Sequence, residues 1–202
     1  MIDPNLREKP YFTIQRAIEL FAKIEGKIIV EIGCMRIPMN HPLSQHDLPC
    51  CVDGHSTLHW APTKAEVYSV DVSTDAVNTV CEEIVKRKIE NVIVVQDDGI
   101  NFLHTFPKTI DLLFLDGWDV GLRDYDLRHL EAYIIARDKM SERSMILIDD
   151  TDVFWDWDRD DIFMAEDGRS GKGRLLIPRA IKDGYKLECC GRQTLLTRNC
   201  SQ

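Results

Sequence analysis

Acidic residues recur in this sequence where apolar runs end. Glu31 and Gly33 close KIIVEIG, Asp71 closes EVYSVD, and Asp97, Asp98 and Gly99 follow VIVVQ. Asp116, Gly117, Trp118 and Asp119 follow IDLLFL, and Asp149 and Asp150 follow SMILI. Taken singly, each has an explanation in turn chemistry, because aspartate caps helices and glycine makes turns. Five in succession suggest a site. A carboxylate can accept both hydroxyls of a ribose diol, and in nucleoside-binding α/β folds the acid that does so stands at the end of the second strand. Asp71 has that place.

The elements that must position these acids follow from apolar spacing. Ile14, Ala17, Ile18, Phe21 and Ile24 recur at helical intervals and predict an amphipathic helix ahead of a first strand, Lys27 to Ile32. A second strand spans Glu66 to Asp71, and Ser73 is placed to cap a helix whose apolar face carries Ala76, Val77, Val80, Cys81, Ile84 and Val85. The alternation continues with strand Val92 to Gln96, a short helix from Gly99 to Phe106, strand Ile110 to Leu115, a helix carrying Leu127, Leu130 and Ile134, and strand Ser144 to Ile148. Nearly continuous apolar strands separated by helices predict a doubly wound α/β fold, with a parallel sheet covered on both faces. At the end, a helix over Pro178 to Asp183 precedes YKLECC and QTLLTR, which only Gly191 and Arg192 separate. So short a connection makes them an antiparallel hairpin. The stretch from Asp149 to Gly173, rich in Asp, Trp and Gly, reads as a long loop over the sheet edge, in which Trp155 and Trp157 could form an aromatic lid.

The first turn is interrupted. Forty positions separate Glu31 from Asp71, against about 20 between turn and acid in the dinucleotide version of the fold; without residues 37–52 the separation is 24. That segment behaves as an insertion, after which Gly54, Ser56 and Thr57 resume the turn and open the next helix, where free N–H groups and hydroxyls can receive a carboxylate. Cys34, His41, His46, Cys50 and Cys51 offer zinc-type ligands, but the adjacent cysteines lack the C-x2-C spacing that places two thiolates around one ion. A loop bordering the pocket at the strand ends is the reading we carry forward.

Together these residues resemble class I S-adenosylmethionine-dependent methyltransferases, among them small-molecule O-methyltransferases of the catechol and macrocin types. VEIG is similar to the family's first motif, VYSVDVS to its ribose-binding segment and QDDG to the segment near the adenine; IDLLFLDGWDVGLRDY followed by SMILIDD resembles the catechol-type pair of motifs. The resemblance runs from about Lys27 to Thr197. It implies a seven-stranded sheet with a terminal antiparallel hairpin, S-adenosylmethionine as cofactor and a small-molecule methyl acceptor bearing a sugar or phenolic hydroxyl. Cofactor contacts then fall to Glu31, Gly33, Gly54, Ser56, Thr57, Asp71, Val72, Asp97, Asp98, Asp116 and Trp118. In metal-dependent members the acids matching Asp116, Asp149 and Asp150 hold Mg²⁺, whose preference for hard oxygen ligands they meet; other members use no metal. The catechol-type enzymes place a lysine base after the tryptophan, whereas Asp119 follows Trp118 here. Asp116 and Asp119 are the catalytic candidates, with Asp119 either a base or a solvated loop acid; His104 and His129 read as surface or packing residues.

Composition narrows the alternatives. The 202 residues suit one domain, residues 1–202, and the net charge of -9 has the wrong sign for a nucleic-acid partner. No apolar run approaches the length of a membrane span, and seven cysteines in no even framework read as reduced thiols, so a soluble cytoplasmic protein is expected. Self-association is left open. A nicotinamide-dependent oxidoreductase is disfavoured because GCMRIP lacks the G-x-G-x-x-G cradle that a pyrophosphate needs. A non-catalytic nucleoside-binding domain remains the other alternative, since fold does not imply function.

Overall fold

The computed structural model describes residues 10–38, 55–165 and 169–200. Gly54, most of the expected insertion and its His41, His46, Cys50 and Cys51 lie outside them. The chain runs α1 (Pro10–Lys23), β1 (Ile28–Ile32), α2 (Ser56–Trp60), β2 (Glu66–Asp71), α3 (Thr74–Arg87), β3 (Val92–Gln96), α4 (Gly99–Thr105), β4 (Ile110–Leu115) and α5 (Tyr125–Ala136). It continues through β5 (Met140–Ile148), β6 (Val153–Asp156), β7 (Asp161–Met164), α6 (Leu176–Lys182), β8 (Lys186–Cys189) and β9 (Thr194–Thr197).

Alternation along the strands builds two cores. Val30, Ile32, Leu113, Leu115, Ile146 and Ile148 point to the face covered by α4, α5 and α6, where Phe102, Leu103, Tyr133 and Ile177 meet them. Ile29, Leu112, Phe114, Met145 and Leu147 point to the other face, against Ile14, Ala17 and Phe21 of α1 and Trp60 of α2. Burying each of the larger side chains contributes about 1.5–3 kcal/mol, so a central strand buried on both sides is held firmly enough to carry a site on its end. Ser73 caps α3 by accepting the Ala76 N–H, as its position suggested.

The sheet has seven strands in the order β3-β2-β1-β4-β5-β9-β8. β1, β2, β3, β4 and β5 pair in parallel, while β9 runs antiparallel to both β5 and β8. The chain therefore builds outward from β1 to β3 and then returns to place β4 on the other side of β1. That reversal is the topological switch point at which open α/β sheets bind ligands, beyond the carboxyl ends of the strands.

One element departs from expectation. The 149–173 stretch, read as a long loop, contains a two-stranded antiparallel hairpin, with Val153 opposite Met164 and Asp156 opposite Asp161. Its turn runs through Trp157, Asp158, Arg159 and Asp160, with Asp160 in the left-handed region at φ 52°, a conformation that aspartate tolerates better than most residues.

Candidate functional site

At the switch point the ends of β1, β2 and β4 and the start of α4 enclose a cleft of about 250 Å³. Gly33, Asp71, Val72, Asp98, Asp116, Trp118 and Asp119 line it together with Gly117. Gly33 has φ +90°, and a Cβ there would lie 2.6 Å from the Gly117 nitrogen and 2.7 Å from the Asp116 carbonyl carbon. The two turns therefore approach at a distance only glycine permits. Asp71 is fixed by backbone donors on both oxygens: Cys34 N–H donates to Oδ2 at 3.0 Å and Ser73 N–H to Oδ1 at 2.8 Å. Each oxygen keeps a lone pair for a further donor.

The other acids of the set divide by role. Asp98 caps α4, its Oδ1 accepting the N–H groups of Ile100 and Asn101 at 3.0 and 3.2 Å. Asp97 accepts the Asp98 N–H at 2.8 Å and is not part of the cleft lining. Asp119 is 56% exposed and forms a 2.9 Å ion pair with Arg36 at the cleft rim, the environment of a solvated loop acid. Trp118 takes φ +48° and meets His129 edge-on, with ring centroids 5.3 Å apart, while its indole also lies beside Gly99. His129 is fully buried, with Nδ1 2.6 Å from the Tyr125 carbonyl. Burial first, and then the charge of Lys172, push its pKa down to about 3, so it stays neutral.

Glu31, Ser56 and Thr57 form a separate centre. The Glu31 carboxylate is fully buried and accepts Ser56 Oγ–H and Thr57 Oγ1–H at 2.5 Å, Ser69 Oγ–H at 2.6 Å and Trp60 Nε1–H at 3.0 Å. The two halves of the interrupted turn thus meet in space, and the carboxylate that the Ser56 and Thr57 hydroxyls receive is that of Glu31. None of the three lines the cleft. Burial pushes Glu31 above the usual carboxylate range against the opposing effect of its four donors.

At the cleft floor and beyond it, Asp116, Asp149 and Asp150 bring carboxylate oxygens within 4.8 Å of one another. Lys172, from the Gly171–Gly173 turn, reaches into this group with a side chain that is 0% exposed. Its ammonium donates to Asp116 Oδ1 at 2.8 Å and to the Asp116 carbonyl at 2.9 Å, and lies 3.1 Å from Asp150 Oδ2. Arg192, between β8 and β9, pairs with Asp150 Oδ1 and stands 3.7 Å from Asp152. Burial, and then the charges of Asp116 and Asp150, hold Asp149 well above the usual carboxylate range. Burial acts the same way on Asp150, but Lys172 and Arg192 together outweigh it and leave that residue below its ordinary value. Three carboxylates are a suitable donor set for Mg²⁺, and Asp149 Oδ1 is buried without a hydrogen-bond partner among the described residues, but the Lys172 ammonium already takes one oxygen of Asp116 and one of Asp150, so a dication would have to share the group with a cation.

The β6-β7 hairpin stands next to this group. Trp155 covers Gly121, where a Cβ would come within 3.0 Å of its indole, and Trp157 lies 6.0 Å from Trp155 and is 58% exposed. Neither ring lines the cleft itself. Trp155 Nε1 is buried without a hydrogen-bond partner among the described residues.

No family model matches the sequence, and no curated protein does. Similar solved structures do exist. A Staphylococcus aureus protein assigned as a caffeoyl-CoA O-methyltransferase has a TM-score of 0.64 at 12% identity, over 93% of this chain and 83% of that one. A Podospora anserina methyltransferase with S-adenosylhomocysteine bound has a TM-score of 0.62 at 18% identity, over 98% and 82%. An rRNA methylase of Streptococcus thermophilus has a TM-score of 0.58 at 15% identity, over 98% and 96%. The chain has the Rossmann-like methyltransferase fold. Within that fold, sequence reasoning singled out every acid of the trio and missed both cations that pair with Asp116 and Asp150. The signal was available: GKG within SGKGRLL sets a lysine between two glycines, an arrangement that lets a backbone press close to another and deliver one long side chain inward.

Proposed function

We infer that the protein is an S-adenosylmethionine-dependent methyltransferase acting on an oxygen of a small molecule that bears a sugar or phenolic hydroxyl. The observation that carries this reading is Asp71, held by two backbone N–H groups at the end of β2 and facing a cleft at the switch point. That carboxylate is oriented to accept a ribose diol, Gly33 admits close backbone approach beside it, and Trp118 offers a flat face for an adenine. The turn after β1 holds no pyrophosphate cradle, which suits a nucleoside cofactor without phosphates. The cofactor supplies a methyl group on a cationic sulfonium. The acidic lining tolerates that cation. Because the charge is lost on transfer, orientation and exclusion of water contribute more than strong acid catalysis. The net charge of -9 favours a small acceptor over RNA.

Calorimetry with S-adenosylhomocysteine tests the reading. Saturable binding is expected, with Asp71→Ala weakening it by roughly tenfold or more, the loss of a charge-assisted pair of hydrogen bonds. No binding up to about 1 mM, the weak end of useful cofactor affinities, refutes it. Methyl transfer from labelled cofactor to a panel of hydroxylated compounds then identifies the acceptor. In that assay Asp119→Asn separates the two roles open to that residue: lower turnover at unchanged S-adenosylhomocysteine affinity marks a base, and unchanged turnover marks a solvated partner of Arg36.

A further inference from the structure

The acidic trio poses a charge problem, and the chain supplies two cations of its own towards it, Lys172 and Arg192. Asp116, Asp149 and Asp150 converge within 4.8 Å at the ends of β4 and β5, and Asp152 follows close by. Buried carboxylates need compensating positive charge, and Mg²⁺ is one way to provide it. The turn that carries Lys172 is another, and it is built for the purpose. Gly171, at φ +49°, lies so close to the end of β5 that a Cβ would stand 2.0 Å from the Asp150 carbonyl oxygen and 2.1 Å from that of Val153. Gly173 is likewise pressed against Ile177 and Thr151, where a Cβ would lie 2.5 and 2.9 Å from their side chains. Ser170 N–H donates to the Thr151 carbonyl at 2.9 Å and Lys172 N–H to that of Asp150 at 3.2 Å, tying the turn down just before the lysine and at the lysine itself.

We propose that Lys172 is the resident cation of this site, a positioning residue that occupies the place of a divalent metal and makes the protein independent of one. Its ammonium grips Asp116 through both the carbonyl and the carboxylate, which fixes the residue at the floor of the cleft. Arg192 supplies the second positive charge from the other side, through Asp150. A dication placed among the same oxygens would compete with the ammonium for their lone pairs and be repelled by it at close range.

The test measures metal directly, so it is decided whether or not S-adenosylhomocysteine binds. Chelator-treated protein is titrated with Mn²⁺ and the free ion followed by electron paramagnetic resonance. The wild type is expected to show no saturable binding up to about 1 mM, whereas Lys172→Met leaves the carboxylates short of one positive charge and gains binding roughly tenfold or more tighter. Lys172→Arg, which restores the charge, gains none. In parallel, Mg²⁺ and chelator leave the thermal unfolding of the wild type unchanged. Saturable Mn²⁺ binding by the wild type that Asp149→Asn abolishes overturns the proposal, and so does a folded Lys172→Met that gains no binding. If Lys172→Met does not fold, the wild-type titration alone decides: absence of binding supports the proposal, and binding lost in Asp149→Asn overturns it.

Discussion

Replacing Glu31 tests whether the buried carboxylate fastens α2 to the sheet. In Glu31→Ala the hydroxyls of Thr57 and Ser69, already 3.3 Å apart, can turn to each other, but Ser56 and the Trp60 N–H lose their acceptor. An orphaned buried donor costs about 1–3 kcal/mol, and the vacated space adds to it, so we expect a loss of about 3–5 kcal/mol. Glu31→Gln should cost only about 1 kcal/mol. The Trp60 N–H can only donate, which turns the amide oxygen towards it and Ser56, and the new NH₂ then faces two hydroxyls able to accept. Urea unfolding with linear extrapolation measures both. The pH dependence offers a second readout. Because burial raises Glu31 in the folded state, its protonation contributes stability that is complete below the unfolded value and is lost as pH rises through the raised folded value. Glu31→Gln removes that slope. An alanine variant within about 1 kcal/mol of wild type would refute the account, as would a glutamine variant as unstable as alanine, since charge rather than an acceptor would then be what the four donors require.

Two further outcomes follow from the geometry. His129 is buried neutral with its pKa near 3 against an ordinary 6.5, so its contribution is present above the unfolded value and is lost as pH falls; at pH 5 the loss is about 2 kcal/mol. Unfolding curves at pH 7 and pH 5 should show this difference in the wild type and its absence in His129→Gln, and equal slopes would contradict it. Gly33→Ala combines a positive φ with a Cβ driven into the Gly117 nitrogen, for a cost of about 3 kcal/mol or more and a matching loss of S-adenosylhomocysteine affinity; a wild-type melting temperature would contradict the close approach.

The sheet was legible because its strands are short apolar runs punctuated by acids and glycines, and β2, β3 and β4 begin and end where those runs do. The final hairpin was legible from the brevity of its connection. Glu31 was harder, since a carboxylate that accepts hydroxyls reads alike whether the hydroxyls belong to a ribose or to Ser56 and Thr57, 25 and 26 residues away. Only burial distinguishes the two. Lys172 stands 56 residues beyond Asp116, within a stretch whose acids and tryptophans suggested a loop. The β6-β7 hairpin there lacks the Asn-Gly or Asp-Gly turn that announces such a pairing, and its strands span only four residues each.

The contact between His55 Nε2 and the Ile37 carbonyl, at 3.1 Å, completes the closure that Glu31 begins. The chain that departs at Ile37 has returned to its point of departure by His55. A connection between two such fixed points can change length at little expense, about 0.6 kcal/mol for each doubling.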